Sequence, residues 1–299
     1  MSIIHNLWIL LMKGVSLISP TLNTKVQYFH YFHKRLDLKH PVTSNEKTLW
    51  LKLNTYYNNP LITQCADKYA VREYVKQCGC EDILNDLLGV WERPEDIDFS
   101  KLPSRFILKN TYGCAMNMIV QDKSMLDIPT AIKQMRPWLR STFHLYASEM
   151  QYAAIPKRII AERFLESDNG GIPEDYKIYC CDGEPYYVMV CVGRDRANGI
   201  RPKFYYLDLE GNLQRQMTRD GQNAPADFHY DKPQGWDYMI ECAKKLTKPF
   251  PFVRCDFYIC QGKVYFGELT FTPSQGLDNR KLPYTDKLIG DLIHLPINE

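Results

Sequence analysis

The sequence has almost no net charge and no long apolar run. Lys and Arg number 37 against 35 Asp and Glu in 299 residues, giving a formal net charge of +2. That balance argues against a dedicated surface for nucleic acid or another acidic polymer. The apolar run LWILLM at 7–12 is too short to span a bilayer, and no basic segment or small-residue cleavage site accompanies it as in a signal peptide. We expect an N-terminal helix packed on the body, with a helix on a membrane surface or on a membrane-bound partner as the alternative.

Several well-known catalytic patterns are also missing. The sequence has no GxxxxGK[ST] phosphate loop, no Rossmann glycine pattern and no GxSxG nucleophile turn. The seven histidines are scattered, and the ten cysteines show neither CxxC nor Cys/His zinc spacing. Most cysteines fall inside predicted strands or a helix, as small hydrophobic residues do. We therefore expect a protein of the reducing cytoplasm without a side-chain nucleophile.

What the sequence does contain is a distinctive predicted hairpin at 252–276, FVRCDFYICQGKVYFGELTFTPSQG. If its loop has three residues centred on Gly262, Asp256 faces Glu268 and Arg254 faces Thr270 on one side of the sheet. Facing carboxylates repel, and a divalent cation with oxygen ligands would offset that repulsion. A two-residue loop would instead place the carboxylates on opposite faces, one solvated and one ion-paired.

The other side of this hairpin is expected to face the core. Its predicted members are Val253, Cys255, Phe257 and Ile259 on one strand, and Tyr265, Leu269 and Phe271 on the other.

The remaining pattern predicts an α+β fold, with antiparallel sheets and helices in separate layers. A capping box at Thr43 precedes a predicted helix at 47–57, and Asp182-Gly183 predicts a type I′ hairpin. Further helices are predicted at 62–77, 82–88, 129–150 and 233–247. Further strands are predicted at 105–110, 118–121, 158–165, 176–181, 186–192, 203–209 and 213–217.

Charged residues at strand ends suggest a phosphate or nucleotide site. Lys109 ends a strand before the small, polar segment 111–117, which we interpret as a mobile flap, so Lys109 could reach a phosphate. Glu162 and Glu166 bracket a predicted hinge suited to an adenine ring and a ribose. Asp175 and Lys177 share one face of the next strand. The alternatives are a solvated edge lysine and an exposed, ion-paired strand face.

In order and spacing, these features resemble the ATP-grasp superfamily and, within it, the TupA-like branch of bacterial polysaccharide biosynthesis. The matching segments are NEKTLWLKL (45–53), ADKYAVREYV (66–75), LPSRFILKN (102–110), IIAERFLE (159–166), EDYKIYCCDG (174–183) and VRCDFYICQGKVYFGELTFTPSQG (253–276). The resemblance implies an ATP-grasp fold with ATP between two α+β subdomains. It divides the chain into an N-terminal helical region at 1–60 and subdomains at 61–157 and 158–299.

The resemblance also implies roles for individual residues. Lys109 would contact phosphate, Asp175 the ribose, and Lys177 would be a second phosphate-facing cation. Arg254 would face the reacting phosphoryl group, which makes Arg254, Lys109 and Lys177 the catalytic set. The adenine hinge would consist of Glu162, Arg163, Phe164 and Leu165. The Mg²⁺ ligands would be Asp256, Glu268 and Thr270, where Thr270 replaces the asparagine usual in ATP-grasp sites.

The function implied is ATP-dependent carboxylate–amine ligation through an acyl phosphate, with Mg²⁺. The substrate would be a uronic acid of a capsular or cell-wall polysaccharide, and the amine an amino acid or amino alcohol. A basic loop with Arg194, Arg196 and Arg201 could hold an anion, or be simply solvated. The expected location is the cytoplasm or the inner face of the membrane, where the N-terminal helix could contact lipid or a glycosyltransferase.

Two alternatives to the ligase remain open. One is a sugar or glycan kinase of the same fold. The other is a catalytically impaired scaffold of a polysaccharide assembly complex, because the flap has only Gly113 where relatives have a glycine-rich loop.

Overall fold

Two antiparallel β-sheets, each covered by helices, form the frame of the chain. The computed structural model describes residues 3–167, 171, 173–193 and 201–297. The helices are α1 (Ile3–Ile18), α2 (Pro20–Phe32), α3 (Ser44–Leu53), α4 (Pro60–Ala66), α5 (Val71–Gln77), α6 (Ile128–Leu139), α7 (Phe143–Ala147), α8 (Arg219–Gln222), α9 (Trp236–Thr247) and α10 (Pro283–Leu292). The strands are β1 (Leu87–Trp91), β2 (Phe106–Asn110), β3 (Asn117–Val120), β4 (Ile159–Arg163), β5 (Asp175–Cys181), β6 (Glu184–Val192), β7 (Lys203–Leu207), β8 (Phe252–Cys260) and β9 (Lys263–Thr270). The predicted α+β class is confirmed.

The first sheet has the strand order β1-β4-β2-β3, and every neighbouring pair is antiparallel. Alternate residues of β2, such as Phe106 and Leu108, are fully buried. They share a core with Ala131 and Met135 of α6. The helix therefore covers one face of this sheet and leaves Lys109 on the other.

The second sheet has the order β7-β6-β5-β8-β9, again antiparallel throughout. Its β5–β6 hairpin turns at Asp182 and Gly183, whose φ angles of 50° and 82° fit the predicted type I′ turn. Met239, Ala243 and other apolar residues of α9 are buried against this sheet. The amphipathic pattern of α9 thus supplies the second core.

Helices α4 and α5 are separate, whereas the sequence pattern predicted one helix at 62–77. Asp67 ends α4 with an extended backbone, and its carboxylate accepts a hydrogen bond from the Tyr69 amide at 2.8 Å. An Asp that bonds the backbone two residues on favours a turn over continued helix. Both helices pack into the core of the second sheet, where the Tyr74 hydroxyl donates to the Leu246 carbonyl at 2.8 Å.

Four other boundaries differ from the prediction. The capping box at Thr43 is present and begins α3 three residues earlier than the predicted helix. The predicted helix at 129–150 divides into α6 and α7. The helix predicted at 82–88 is a single 3₁₀ turn, Glu81–Ile83, followed by β1. The strand predicted at 213–217 reduces to one bridge, Leu207 to Leu213, and then a 3₁₀ turn, because a short polar edge segment gains too few ladder bonds to continue.

The two N-terminal helices run antiparallel and pack on α7. The Ser16 and Ser148 hydroxyls lie 2.8 Å apart, and the Asn23 amide donates to the Tyr146 carbonyl at 3.1 Å. Within the described ranges, no helix combines the length and apolar character needed to cross a membrane.

Candidate active site

The β8–β9 hairpin places the two predicted carboxylates opposite each other, but not by the predicted loop. The turn has two residues, Gln261 and Gly262, and both have positive φ. That turn alone would put Asp256 and Glu268 on opposite faces. The register shifts by one residue beside Phe257, which returns Asp256 to Glu268. The predicted facing pair is therefore confirmed, whereas the three-residue loop is wrong.

The shift is a β-bulge at Gly267. A Cβ atom on this residue would lie 2.8 Å from the carbonyl oxygen of Asp256. Only glycine allows the two backbones to approach so closely. The bulge also changes one core prediction, because Phe257 now pairs with the buried Phe266, and Tyr265 pairs with Tyr258.

Asp256 lies at the centre of a buried ionic cluster. Its carboxylate accepts hydrogen bonds from Nε and Nη2 of Arg254 and from Nζ of Lys177, each at 2.7 Å. Burial by itself raises the pKa of Asp256, but the charges of Arg254 and Lys177 outweigh it and hold the pKa below its usual value. Two cations therefore offset the repulsion between the facing carboxylates.

Lys177 comes from the neighbouring strand β5, where it pairs directly with Asp256. Its Nζ also lies 2.7 Å from the carboxylate of Asp175, so the predicted pair on one strand face is present. Burial disfavours the charged lysine, yet the carboxylates of Asp256 and Asp175 raise its pKa overall. Lys177 is thus a fixed cation at the centre of the second sheet.

Glu268 is the most accessible member of this cluster. Its side chain is 41% exposed, against 4% for Asp256. The Thr270 hydroxyl donates to its Oε1 at 3.0 Å, and Arg254 Nη2 lies 3.3 Å from that hydroxyl. The predicted set of Arg254, Asp256, Glu268 and Thr270 therefore occupies one face of the hairpin.

The first sheet presents a second polar group, centred on Glu162. Lys109 Nζ donates to Oε2 of Glu162 at 2.6 Å, and Arg72 Nη1 lies 3.4 Å from Oε1. The side chain of Lys109 is 23% exposed. Lys109 and Glu162, two residues predicted to bind the nucleotide, therefore bond each other across strands β2 and β4.

The predicted adenine hinge begins at Glu162 and continues through Leu165. The backbone of Arg163 is already used: its N–H donates to the Asp86 carbonyl at 3.0 Å, and its carbonyl accepts from the Asn85 amide at 2.8 Å. Phe164 is buried beneath the guanidinium of Arg105, and Leu165 is half-buried. A surface cavity of about 480 Å³ lies beside this segment and includes Arg163 and Phe164 in its wall.

The segment from Asp67 to Arg72 connects the two polar groups, and none of its side chains was predicted from the sequence to belong to the site. Lys68 Nζ lies 4.0 Å from Oε2 of Glu268, while Arg72 reaches Glu162. Lys68 and Arg72 are four residues apart, and that spacing was the available signal that both could point the same way. The break between α4 and α5, which the sequence did not reveal, places Lys68 beside the second sheet.

Lys68 also holds the segment interpreted as a flap. Its N–H donates to the Thr111 carbonyl at 3.1 Å, and its Nζ donates to the Gly113 carbonyl at 2.6 Å. Thr111, Tyr112 and Gly113 are buried, whereas Cys114 and Ala115 are exposed. Only the tip of this segment projects.

Of the predicted basic loop, Arg201 is exposed, and Arg194 and Arg196 lie outside the described residues.

The hairpin residues fit a magnesium ion that shares its coordination with phosphate and water. Mg²⁺ prefers oxygen ligands and is usually held by one or two carboxylates together with substrate phosphates. Glu268 supplies an accessible carboxylate, the half-buried Thr270 supplies a hydroxyl oxygen, and Asp256 is ionised beside them. Within the described part of the chain, no group of three or more His, Cys, Asp or Glu side chains forms a metal site, so a metal held by protein alone is not indicated there.

A model of the TupA-like ATP-grasp family matches residues 46–294. The chain belongs to this family. The match contains both polar groups and every predicted site residue, and it leaves α1 and α2 outside. No curated protein matches the sequence.

Solved structures also resemble this TupA-like chain, at low identity. An N5-carboxyaminoimidazole ribonucleotide synthetase with ADP is 12% identical, with a TM-score of 0.43 over 75% of this chain and 47% of that protein. A D-alanine–D-alanine ligase from Bacillus anthracis with ATP is 13% identical, with a TM-score of 0.46 over 86% of this chain and 68% of the ligase. The ATP-grasp ligase PsnB, with a minimal precursor, Mg and ADP, is 14% identical, with a TM-score of 0.41 over 84% and 65%. The family assignment rests on the matched family model.

Proposed function

We propose that this TupA-like ATP-grasp protein is an ATP-dependent carboxylate–amine ligase. The observation that carries the proposal is the hairpin cluster, in which Arg254 and Lys177 surround an ionised Asp256 beside the accessible Glu268. A buried set of fixed cations stabilises charge that develops on a transferring phosphoryl group. Lys109 and Glu162 would bind the nucleotide from the first sheet, so that ATP lies between the sheets.

In the first step, a substrate carboxylate oxygen attacks the γ-phosphorus of ATP. The bond from that phosphorus to the β–γ bridging oxygen breaks, and ADP leaves with its electron pair. Arg254 and Lys177 stabilise the equatorial oxygens, and both remain protonated, since the adjoining carboxylates keep the pKa of each above its usual value. A magnesium ion at Asp256, Glu268 and Thr270 would supply neutralisation of the β- and γ-phosphates.

In the second step, an amine attacks the carbonyl carbon of the acyl phosphate. The carbon–oxygen bond to phosphate breaks, inorganic phosphate leaves, and the nitrogen loses a proton to give an amide. This sequence needs no side-chain nucleophile, which agrees with the absence of the usual nucleophile motifs. The resemblance to the polysaccharide branch supports a uronic acid as the carboxylate and an amino acid or amino alcohol as the amine.

The products of a reaction with ATP, a uronic acid and pooled amines distinguish the candidate functions. The ligase predicts ADP, inorganic phosphate and an amide mass that appear together and require the amine. A kinase would release ADP and give a phosphorylated sugar without any amine. A scaffold would show no change in melting temperature with millimolar Mg-ATP.

Glu268→Gln tests the role of the hairpin. It removes an accessible charge and keeps the side-chain size, so we expect wild-type stability and loss of the Mg-dependent thermal shift and of ADP formation. Glu184→Gln is the matched control, because Glu184 is a surface residue with 54% side-chain exposure in an ion pair with Lys244. If Glu268→Gln retains Mg-dependent activity, the metal assignment is wrong.

A further inference from the structure

The outer face of the N-terminal helical hairpin is apolar and exposed. Six large residues of α1 share this character, with exposed fractions from 56% to 84%: Ile4, Leu7, Leu10, Leu11, Leu17 and Ile18. Helix α2 adds Leu22 and Phe29, which are 50% and 56% exposed. Contiguous apolar surface of this kind marks a contact site for another molecule or for a membrane.

The packing of the two helices places both exposed stripes on the outside of the body. Ser16 of α1 and Asn23 and Gln27 of α2 are buried where they bond Tyr146 and Ser148 at the interface with α7. Met12 of α1 is also buried, and its carbonyl accepts a hydrogen bond from the Asn23 amide. Leu7 and Leu22 lie on the opposite faces of their helices, away from that interface. The helical hairpin therefore presents exposed apolar residues from both helices, and both helices lie outside the region matched by the family model.

This surface is bordered by positive charge. Residues 1–40 contain five Lys and Arg against one Asp, a net charge of +4, while the whole chain carries only +2. Four of these cations are exposed: Lys25, Lys34, Arg35 and Lys39. A groove of about 380 Å³ between Lys25 and Arg35 is also lined by Val26, Phe29 and Leu36, so cations and apolar groups meet in it.

The positive charge beside this surface distinguishes a bilayer with anionic lipid from a second copy of the chain as its binding partner. Four exposed cations and the exposed Asp37 give this segment a surface charge of +3, so a second copy on the same face would bring like charge against like charge, which opposes a symmetric dimer. Helix α1 has 16 residues, a length of about 24 Å against a bilayer core of about 30 Å, so it does not span. A bilayer with anionic lipid supplies both an apolar interior and negative phosphates.

We propose that α1 and α2 hold this protein on the surface of a bilayer that contains anionic phospholipid. The apolar face enters the boundary between headgroups and acyl chains. Lys25 and Arg35 contact lipid phosphates at the groove, and Lys34 and Lys39 add to the attraction. This proposal is independent of the proposed ligase activity.

Cosedimentation of the full chain with vesicles tests it. One set contains phosphatidylcholine alone and the other phosphatidylcholine with phosphatidylglycerol. Lys25→Glu with Arg35→Glu should weaken binding to the anionic vesicles by at least about 30-fold, at about 1 kcal/mol per cation. Leu7→Gln with Leu11→Gln should weaken it at least about ten-fold through lost apolar burial.

Matched controls lie on the rest of the surface. Met125 is 82% exposed, and Lys101 has 83% side-chain exposure; Met125→Gln and Lys101→Glu should bind as the wild type does. All variants should keep the wild-type melting temperature, since the substituted side chains are mainly in solvent. The proposal is supported if binding needs anionic lipid, weakens with salt, and is weakened both by Lys25→Glu with Arg35→Glu and by Leu7→Gln with Leu11→Gln.

Two results would overturn it. Equal binding to both vesicle types would show that the cations do not contribute to binding through anionic lipid. Absence of binding to either type, with dimers in analytical ultracentrifugation that the Leu7→Gln and Leu11→Gln changes dissociate, would assign the face to a second copy of the chain.

Discussion

Gly267→Ala tests how the chain aligns its two facing carboxylates. The new Cβ would lie 2.8 Å from the Asp256 carbonyl oxygen and 3.2 Å from its carbon, and real Cβ atoms essentially never approach within 3.0 Å. Both obstructing atoms belong to the backbone, so no side chain can move aside. The bulge must widen or the strands must slip by one residue.

The magnitude follows from two opposing effects. Overpacking that displaces backbone costs about 1–3 kcal/mol, and replacing glycine stiffens the unfolded chain, which returns about 0.4–1 kcal/mol. We expect the free energy of unfolding in urea to fall by about 1–2 kcal/mol, with an unchanged m-value. ADP formation should fall by about 100-fold, because a displacement of about 1 Å in the reacting groups costs that much.

The control is Gly171→Ala, where the nearest atom to a new Cβ is the Ser167 hydroxyl at 3.6 Å. Gly171→Ala should change the free energy of unfolding by no more than about 0.5 kcal/mol. If Gly267→Ala unfolds at the wild-type urea concentration and forms ADP at the wild-type rate, the bulge does not set the register. Reduced stability with full activity would show instead that the register is not needed for chemistry.

Three further predictions concern the cluster, the flap and a helix start. Asp256→Asn should lower the free energy of unfolding by about 3 kcal/mol in urea, because it leaves two buried cations short of a counter-charge. Because folding lowers the pKa of Asp256, this carboxylate stabilises the fold above its unfolded pKa of about 3.9, and the stabilisation is lost as the pH falls below that value. Acid unfolding of Asp256→Asn should therefore lack this part of the pH dependence. The same pH dependence in the variant and the wild type would contradict an ionised Asp256. Lys68→Met should weaken ATP binding about ten-fold in calorimetry, because it removes one charge-assisted hydrogen bond to the Gly113 carbonyl. Unchanged affinity would show that Lys68 does not contribute to ATP binding. Thr43→Ala should cost about 1 kcal/mol in thermal unfolding through loss of the α3 capping box, with no change in ATP affinity.

Local sequence patterns correctly predicted the features that are formed by residues close together in the sequence. The capping box at Thr43 and the type I′ turn at Asp182 and Gly183 are both present, because each is made by bonds within a few residues. The break between α4 and α5 was not predicted. The apolar spacing continues through it, and the stop comes from one aspartate side chain that bonds the backbone.

For the candidate site, the sequence alone indicated the family and the α+β class, and it offered the facing carboxylates as one of two possible arrangements of the hairpin. Strand alternation is a local property, so Arg254 and Asp256 necessarily share a face. The ordered segments that resemble ATP-grasp proteins lie inside the region that the family model matches.

Only the tertiary structure decided how these residues are paired and aligned. The bulge at Gly267 depends on the approach of two backbones, which composition does not encode. The bond from Lys177 to Asp256 joins residues 79 apart in sequence, and Lys68 reaches Glu268 only after the chain turns at Asp67. Such contacts depend on the packing of separate elements, so the bonds from Lys177 and Lys68 to the facing carboxylates became visible only in the folded chain.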